Sequence, residues 1–179
     1  MKNVILTIVA AAAVSMGTSA HAGDVVELIV DVDGWESASL FGDAGNTSAT
    51  FDIGADAHVV GVAWDITLQT FGESLANEAL FWFGSTSAPQ TLGGLLVNIA
   101  APMAAPAQFT GSADLIAIER DFFVGADGLL NIEAAEFVAT APGVESLWDG
   151  TLTISYIPVP APAGLAVLGL LAIGRRRRD

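Results

Sequence analysis

The sequence predicts an all-β protein: a single antiparallel β-sandwich, jelly-roll or Ig-like, flanked by an N-terminal signal helix and a C-terminal hydrophobic helix. Three observations carry this expectation. Apolar residues alternate with polar ones along most of the middle of the chain, the period of a half-buried strand. Asp-Gly and Asn-containing turn residues separate the alternating runs. The two ends differ from the middle, each holding a short apolar stretch beside basic residues.

The first segment is Met1-Lys2-Asn3 followed by an apolar run from Val4 to about Val14, closing on Ser19-Ala20-His21-Ala22. A charged start, a short apolar core and a small-x-small site are the parts of a signal peptide. Cleavage between Ala22 and Gly23 would leave Gly23 first. The run is too short to cross a bilayer core, which takes about 20 residues.

The strands follow in order. Val26, Leu28, Val30 and Val32 share one face, with Glu27 and Asp31 opposite. Asp33-Gly34 and Asp43-Ala44-Gly45-Asn46 read as turns. Ala49, Phe51 and Ile53 alternate around Asp52. Val60, Val62, Trp64, Ile66 and Leu68 give the clearest stripe, with Gly61, Ala63, Asp65 and Thr67 behind them. Ala79, Phe81 and Phe83 form another strand, with Trp82 on its second face. Leu95 to Ile99 and Asp114 to Ile118 are shorter candidates. Pro102 and Pro106 make Ala100 to Ala107 a loop or a sheet edge. Asn131 to Ala139 has some helical propensity, but Leu130 and Ile132 before it favour a strand. Asp127-Gly128 and Asp149-Gly150 are predicted turns. Leu152, Ile154 and Tyr156 end the series. Seven or eight short strands with frequent turns suggest a two-sheet sandwich. The organisation is residues 1–22 as signal peptide, 23–157 as one acidic domain and 158–179 as a tail.

Charge limits the partners. The whole chain carries −14. Residues 23–157 hold nineteen acids against Arg120 alone, about −18. Nucleic acid is therefore not a partner, because phosphate binding draws on Lys and Arg. With no cysteine, disulfides, thiolate metal sites and cysteine nucleophiles are excluded.

Catalytic signals are weak, and no catalytic residue is assigned. After processing, His58 is the lone histidine and would have to serve any Ser-His-Asp triad. Gly72-Glu73-Ser74-Leu75-Ala76 lacks the final glycine of a nucleophile elbow, and His58 precedes the serine, the reverse of that order. His58 reads as an ordinary polar residue at a strand start. The carboxylate pairs Glu119/Asp121 and Glu133/Glu136 mean little without a cleft. Asp31-Val32-Asp33-Gly34 and Gly125-Ala126-Asp127-Gly128 look like pieces of a calcium loop. In EF-hand register their ends fall on Ile29 and Leu40, and on Phe123 and Ala134, none of which supplies a carboxylate. A looser Ca2+ site at Asp31, Asp33 and Asp43 is the weak remaining metal candidate; otherwise no cofactor is expected. Of four tryptophans, Trp64 reads as core, while Trp35 with Trp82 is a candidate sugar-stacking platform.

The tail is the most specific feature. Ile157-Pro158-Val159-Pro160-Ala161-Pro162-Ala163 leads into an apolar run ending at Gly174, then Arg175, Arg176, Arg177, Arg178 and Asp179. As a helix, the twelve residues from Ala163 to Gly174 would extend about 18 Å, against a bilayer core of about 30 Å. The arginines would stop transfer on the cytoplasmic side. Val159-Pro160-Ala161-Pro162-Ala163, the Gly/Leu/Ala stretch and the arginine cluster together resemble the PEP-CTERM sorting signal of Gram-negative envelope proteins. Ala161 stands where that family usually has glutamate.

The resemblance covers about an eighth of the chain. It implies export, recognition by a membrane-embedded exosortase-like enzyme, and release or attachment at the cell surface, often alongside exopolysaccharide. The expectation is thus a non-enzymatic envelope or biofilm-matrix protein. Its partners are the export machinery, signal peptidase, the sorting enzyme and the membrane. The alternative is a surface binding module for Ca2+ or polysaccharide, with a secreted hydrolase more distant.

Overall fold

The period-two pattern places one apolar face on nearly every strand, and two such faces close on each other as stacked sheets. The computed structural model describes residues 23–85, 95–101, 106–139 and 143–159. Among these lie ten strands: β1 (Val26–Asp31), β2 (Trp35–Ser37), β3 (Ser48–Asp52), β4 (His58–Thr70), β5 (Ala79–Ser85), β6 (Leu95–Val97), β7 (Ala107–Asp114), β8 (Phe122–Phe123), β9 (Leu129–Glu136) and β10 (Ser146–Ile157). The first sheet has the order β1-β10-β4-β7, with β2 also on β10 and β8 also on β4; the second has the order β3-β9-β5-β6. Every strand pairing is antiparallel.

The predicted stripes point inward except at Val60, where a bulge opposite Ser155 and Tyr156 puts Val59 in the core instead. Val62, Ile66 and Leu68 of β4, Leu152 and Ile154 of β10, and Phe81 and Phe83 of β5 are all buried in one core. Trp148 and Phe81 meet across it with ring centroids 4.3 Å apart. Burial of each such side chain contributes about 1.5–3 kcal/mol. Trp64 is half-buried against this core, and its ring lies over Gly111, where an added Cβ would come within 2.6 Å of it. Asn131 to Glu136 is strand, as Leu130 and Ile132 suggested.

Two expectations need correction. Leu115 to Ile118, expected with Asp114 as a strand, is a turn. Asp114 Oδ1 accepts from the Ala117 N–H (3.1 Å), and the Arg120 N–H reaches the Leu115 carbonyl (2.8 Å). The strand lies before it, in β7, whose burial alternates weakly because it is the sheet edge. Asp149-Gly150 does not turn the chain but lies within β10. Gly150 is required there: its φ is +125°, and a Cβ would sit 2.2 Å from the Asp65 carbonyl oxygen. After the Asp33-Gly34 turn, Trp35 begins a short strand, β2, that continues the edge started by β1.

An aspartate clamp joins β1 to β2. Asp33 Oδ1 accepts from the Gly150 N–H (2.6 Å), and Asp149 Oδ1 accepts from the Gly34 N–H (3.0 Å). The two Asp-Gly pairs thus fasten each other while the edge strand breaks at Val32–Gly34.

Candidate functional site

A β-sandwich core is normally apolar, so its buried polar groups single out sites. Here one group stands between the sheets. Glu136 ends β9, Ser37 ends β2 and Ser146 begins β10. Ser37 and Ser146 are register partners in the first sheet, and Glu136 reaches them from the second. Glu136 is 2% exposed and both serines 0%. Ser37 Oγ and Ser146 Oγ contact Glu136 Oε1 at 2.5 and 2.6 Å. The two hydroxyls also contact each other, and the Trp148 indole N–H donates to Ser37 Oγ from 3.4 Å.

Both hydroxyls donate to Glu136 Oε1. The Glu136 pKa is nevertheless raised from 4.5 to about 6. Burial is the main cause; donation from Ser146 and Ser37 works against it, and the negative charges of Glu145 and Glu78 add to it. Glu136 Oε2 is buried with no hydrogen-bond partner, a further cost to the ionised form. Glu145, also 2% exposed, receives the Phe71 N–H on its backbone carbonyl (2.8 Å). The cluster is a buried polar joint between the two sheets. Sealed as it is, neither serine hydroxyl is presented to solvent for nucleophilic chemistry.

Glu133 and Glu136 do not act as a pair. Three residues apart on a strand, they face opposite sides. Glu133 Oε1 accepts instead from the Asn46 side chain (2.8 Å) and the Gly42 N–H (2.7 Å). It pins the Asp43–Asn46 turn across the outside of the second sheet. Phe41 is carried with it, and its ring stacks on Trp82 at 4.3 Å.

The other predicted residues disperse. Asp31 Oδ1 accepts from the Asp33 N–H (2.9 Å), and Asp43 Oδ1 accepts from the Gly45 N–H (2.9 Å). Both are turn contacts. Among the described residues no three His, Asp or Glu side chains gather as a metal site, so Asp31, Asp33 and Asp43 do not form one. The sugar platform fails as well: Trp35 is 4% and Trp82 5% exposed, the first in the core and the second under Phe41.

His58 starts β4, stacks on Phe123 at 4.1 Å and contacts Asp121 at 2.6 Å. Ser74 follows the far end of that 13-residue strand, about 40 Å away at the usual strand rise, so the two form no dyad. The signal segment with Ala22, and the tail from Pro160 through Ala161, Pro162 and Ala163 to Arg175–Arg178, lie outside the described residues. Gly23 and Val159 are the outermost described residues. Among the described residues no helix is long and apolar enough to cross a membrane.

No family model matches the sequence, and no curated protein matches it. Several solved structures are distantly similar. The infectious bursal disease virus VP2 subviral particle aligns at 11% identity with a TM-score of 0.38, covering 75% of this chain and 33% of that one. The chain thus spans about a third of that protein's length. The tomato aspermy virus structure aligns at 11% identity with a TM-score of 0.29, covering 81% and 83% of the two chains. The tobacco streak virus coat protein aligns at 11% identity with a TM-score of 0.30, covering 82% and 93%. At such identities the likeness is one of β-sandwich architecture alone.

Proposed function

We propose that this protein is a non-enzymatic, exported cell-envelope or extracellular-matrix protein, delivered by a signal peptide and sorted through a C-terminal membrane tail of the PEP-CTERM kind. The observation that carries the reading is the tail itself: a proline-rich motif at Val159–Ala163, an apolar run to Gly174 and four arginines, in that order. The domain is consistent with such a load. The tail continues from β10, which is paired on both sides, to β1 and to β4. A pull on the tail would be shared by a central strand rather than peeling an edge. Residue 23, the start expected after signal cleavage, leads into β1, whose Val26 pairs with Tyr156 near the end of β10. Both joints with the terminal segments therefore fall at one pole.

Within the sandwich class we assign the jelly-roll arrangement rather than the Ig-like one. Leaving aside the short β2 and β8, the pairings β1–β10, β3–β9, β4–β7 and β5–β6 are nested, first with last. A long hairpin rolled up on itself pairs in this way.

The mass of the mature protein tests the reading. Expressed with its own export and sorting machinery, the chain should lose residues 1–22 and be shortened somewhere beyond Val159. A mature form with an intact C-terminus would leave a plain membrane anchor and overturn the sorting role.

A further inference from the structure

The pole at which β10 ends exposes a group of apolar side chains. Adjacent strands bring Ile157 beside His58, and His58 beside Phe123. The turn between β7 and β8 projects from the same pole. Leu115 is buried beneath it at 1%, while Ile116 and Ile118 are each 53% exposed, Phe123 is 59% exposed and Val25 58%. The turn is closed by hydrogen bonds from the Ile118 N–H to the Asp114 carbonyl (3.3 Å) and from the Arg120 N–H to the Leu115 carbonyl (2.8 Å). It therefore holds its isoleucines outward as a fixed feature. Arg120 is the one basic residue between Lys2 and Arg175, and it is exposed on this turn.

Exposure alone does not choose this pole, since Leu40, Phe71, Leu75, Phe137 and Val138 are exposed at the other. Tether length chooses it. Five residue steps separate Val159 from Gly164, where the apolar run begins. At about 3.1 Å per residue for a proline-rich segment they reach about 15 Å. Headgroups take up about 5–8 Å of that on each side of the hydrocarbon core. With the tail in a membrane, the near pole would be held within about 10 Å of the headgroup surface. The far pole lies about 40 Å away along the 12-residue strand β10.

We propose that the near pole is a lipid-facing surface, seated on the headgroups of the membrane that holds the tail, with Ile116, Ile118 and Phe123 as its apolar contacts and Arg120 at lipid phosphate. The proposal rests on the tail reading above. Asp24, Asp52, Asp56, Asp114, Glu119, Asp121 and Asp127 share this pole, so the favoured lipid is zwitterionic rather than anionic.

Because the chain has no cysteine, single labels test this directly. Ile118→Cys and, as the far-pole comparison, Leu75→Cys are each made in the full chain and labelled with bimane. Each is reconstituted in phosphatidylcholine vesicles containing a headgroup-level nitroxide lipid. Quenching several-fold stronger at position 118 than at 75, in protein that floats with the vesicles, is the expected result. Floating protein with equal quenching, or with stronger quenching at 75, overturns the lipid contact and leaves the tail reading standing. Protein that does not float removes the tail reading, and this contact with it.

Discussion

Glu136 is the residue on which the pH behaviour of the domain turns. Its folded-state pKa is about 6 against an ordinary 4.5, so the folded form holds the proton more tightly. The stabilisation is complete below the unfolded value and is lost as pH rises through the folded one. The shift corresponds to about 2 kcal/mol lost between roughly pH 4.5 and 6. Glu136→Gln keeps an uncharged donor and acceptor and should remove this slope. Urea unfolding at pH 4.5 and 7.5 for both forms is the check. The variant should gain relative to the parent at the higher pH by up to about 2 kcal/mol, and a difference independent of pH would contradict the raised pKa of Glu136. Comparing the two proteins cancels the self-repulsion of the remaining acids, which also varies with pH. Sequence marked Glu136 only as half of a pair with Glu133. Nothing local said that Ser37 and Ser146, 109 positions apart, would meet it.

At the scale of elements, the aspartate clamp shows how turn chemistry can be read correctly and placed wrongly. Asp33-Gly34 and Asp149-Gly150 carry the same signal. The first ends β1, whereas the second stays in β10 because Gly150 permits the close approach of the Asp65 carbonyl and Asp33 caps its N–H. Asp33→Ala and Asp149→Ala should each cost about 1 kcal/mol, the usual net value of a hydrogen bond. Both hold the same junction, so the double variant should lose less than the summed single effects. Asp→Asn at each site separates the lost acceptor from the lost charge. Strict additivity in a double-mutant cycle would show that the two contacts are independent. The same limits explain β7. Ala107–Asp114 has one large apolar residue, Phe109, and was legible only as the loop or edge expected up to Ala107. Ile116 and Ile118 beyond it alternate like a strand, yet the Asp114 side chain folds them into a turn.

For the whole molecule, the governing quantity is the charge of about −18 on residues 23–157. With nineteen acids against one arginine, the acids mainly repel one another. Screening should therefore stabilise the domain. Raising the salt concentration from about 0.01 M to 1 M shortens the Debye length from about 30 Å to 3 Å. The thermal midpoint of the protein at pH 7.5 should rise over that range with a neutral-series salt. A falling midpoint would mean that favourable charge contacts outweigh the repulsion. The same count bears on the proposed lipid contact, because a domain this acidic would approach a membrane only where the apolar pole and the proposed tether compensate.

Sequence by itself determined the all-β class, the inward faces of β1, β3, β4, β5 and β10, and the acidic character of the domain. Each of these is written in residues adjacent or two apart. The expectation of a sorting tail is equally a property of sequence, and it stands as a proposal. Tertiary structure decided which strands share a sheet, that Trp35 and Trp82 are covered, and that Asp31, Asp33 and Asp43 serve turns. It also decided that Glu136 is sealed between two serines and that the isoleucine turn lies at the pole where the tail leaves. Those features depend on residues from distant parts of the chain meeting in space. The burial and spacing that set their chemistry exist only once the two sheets have packed.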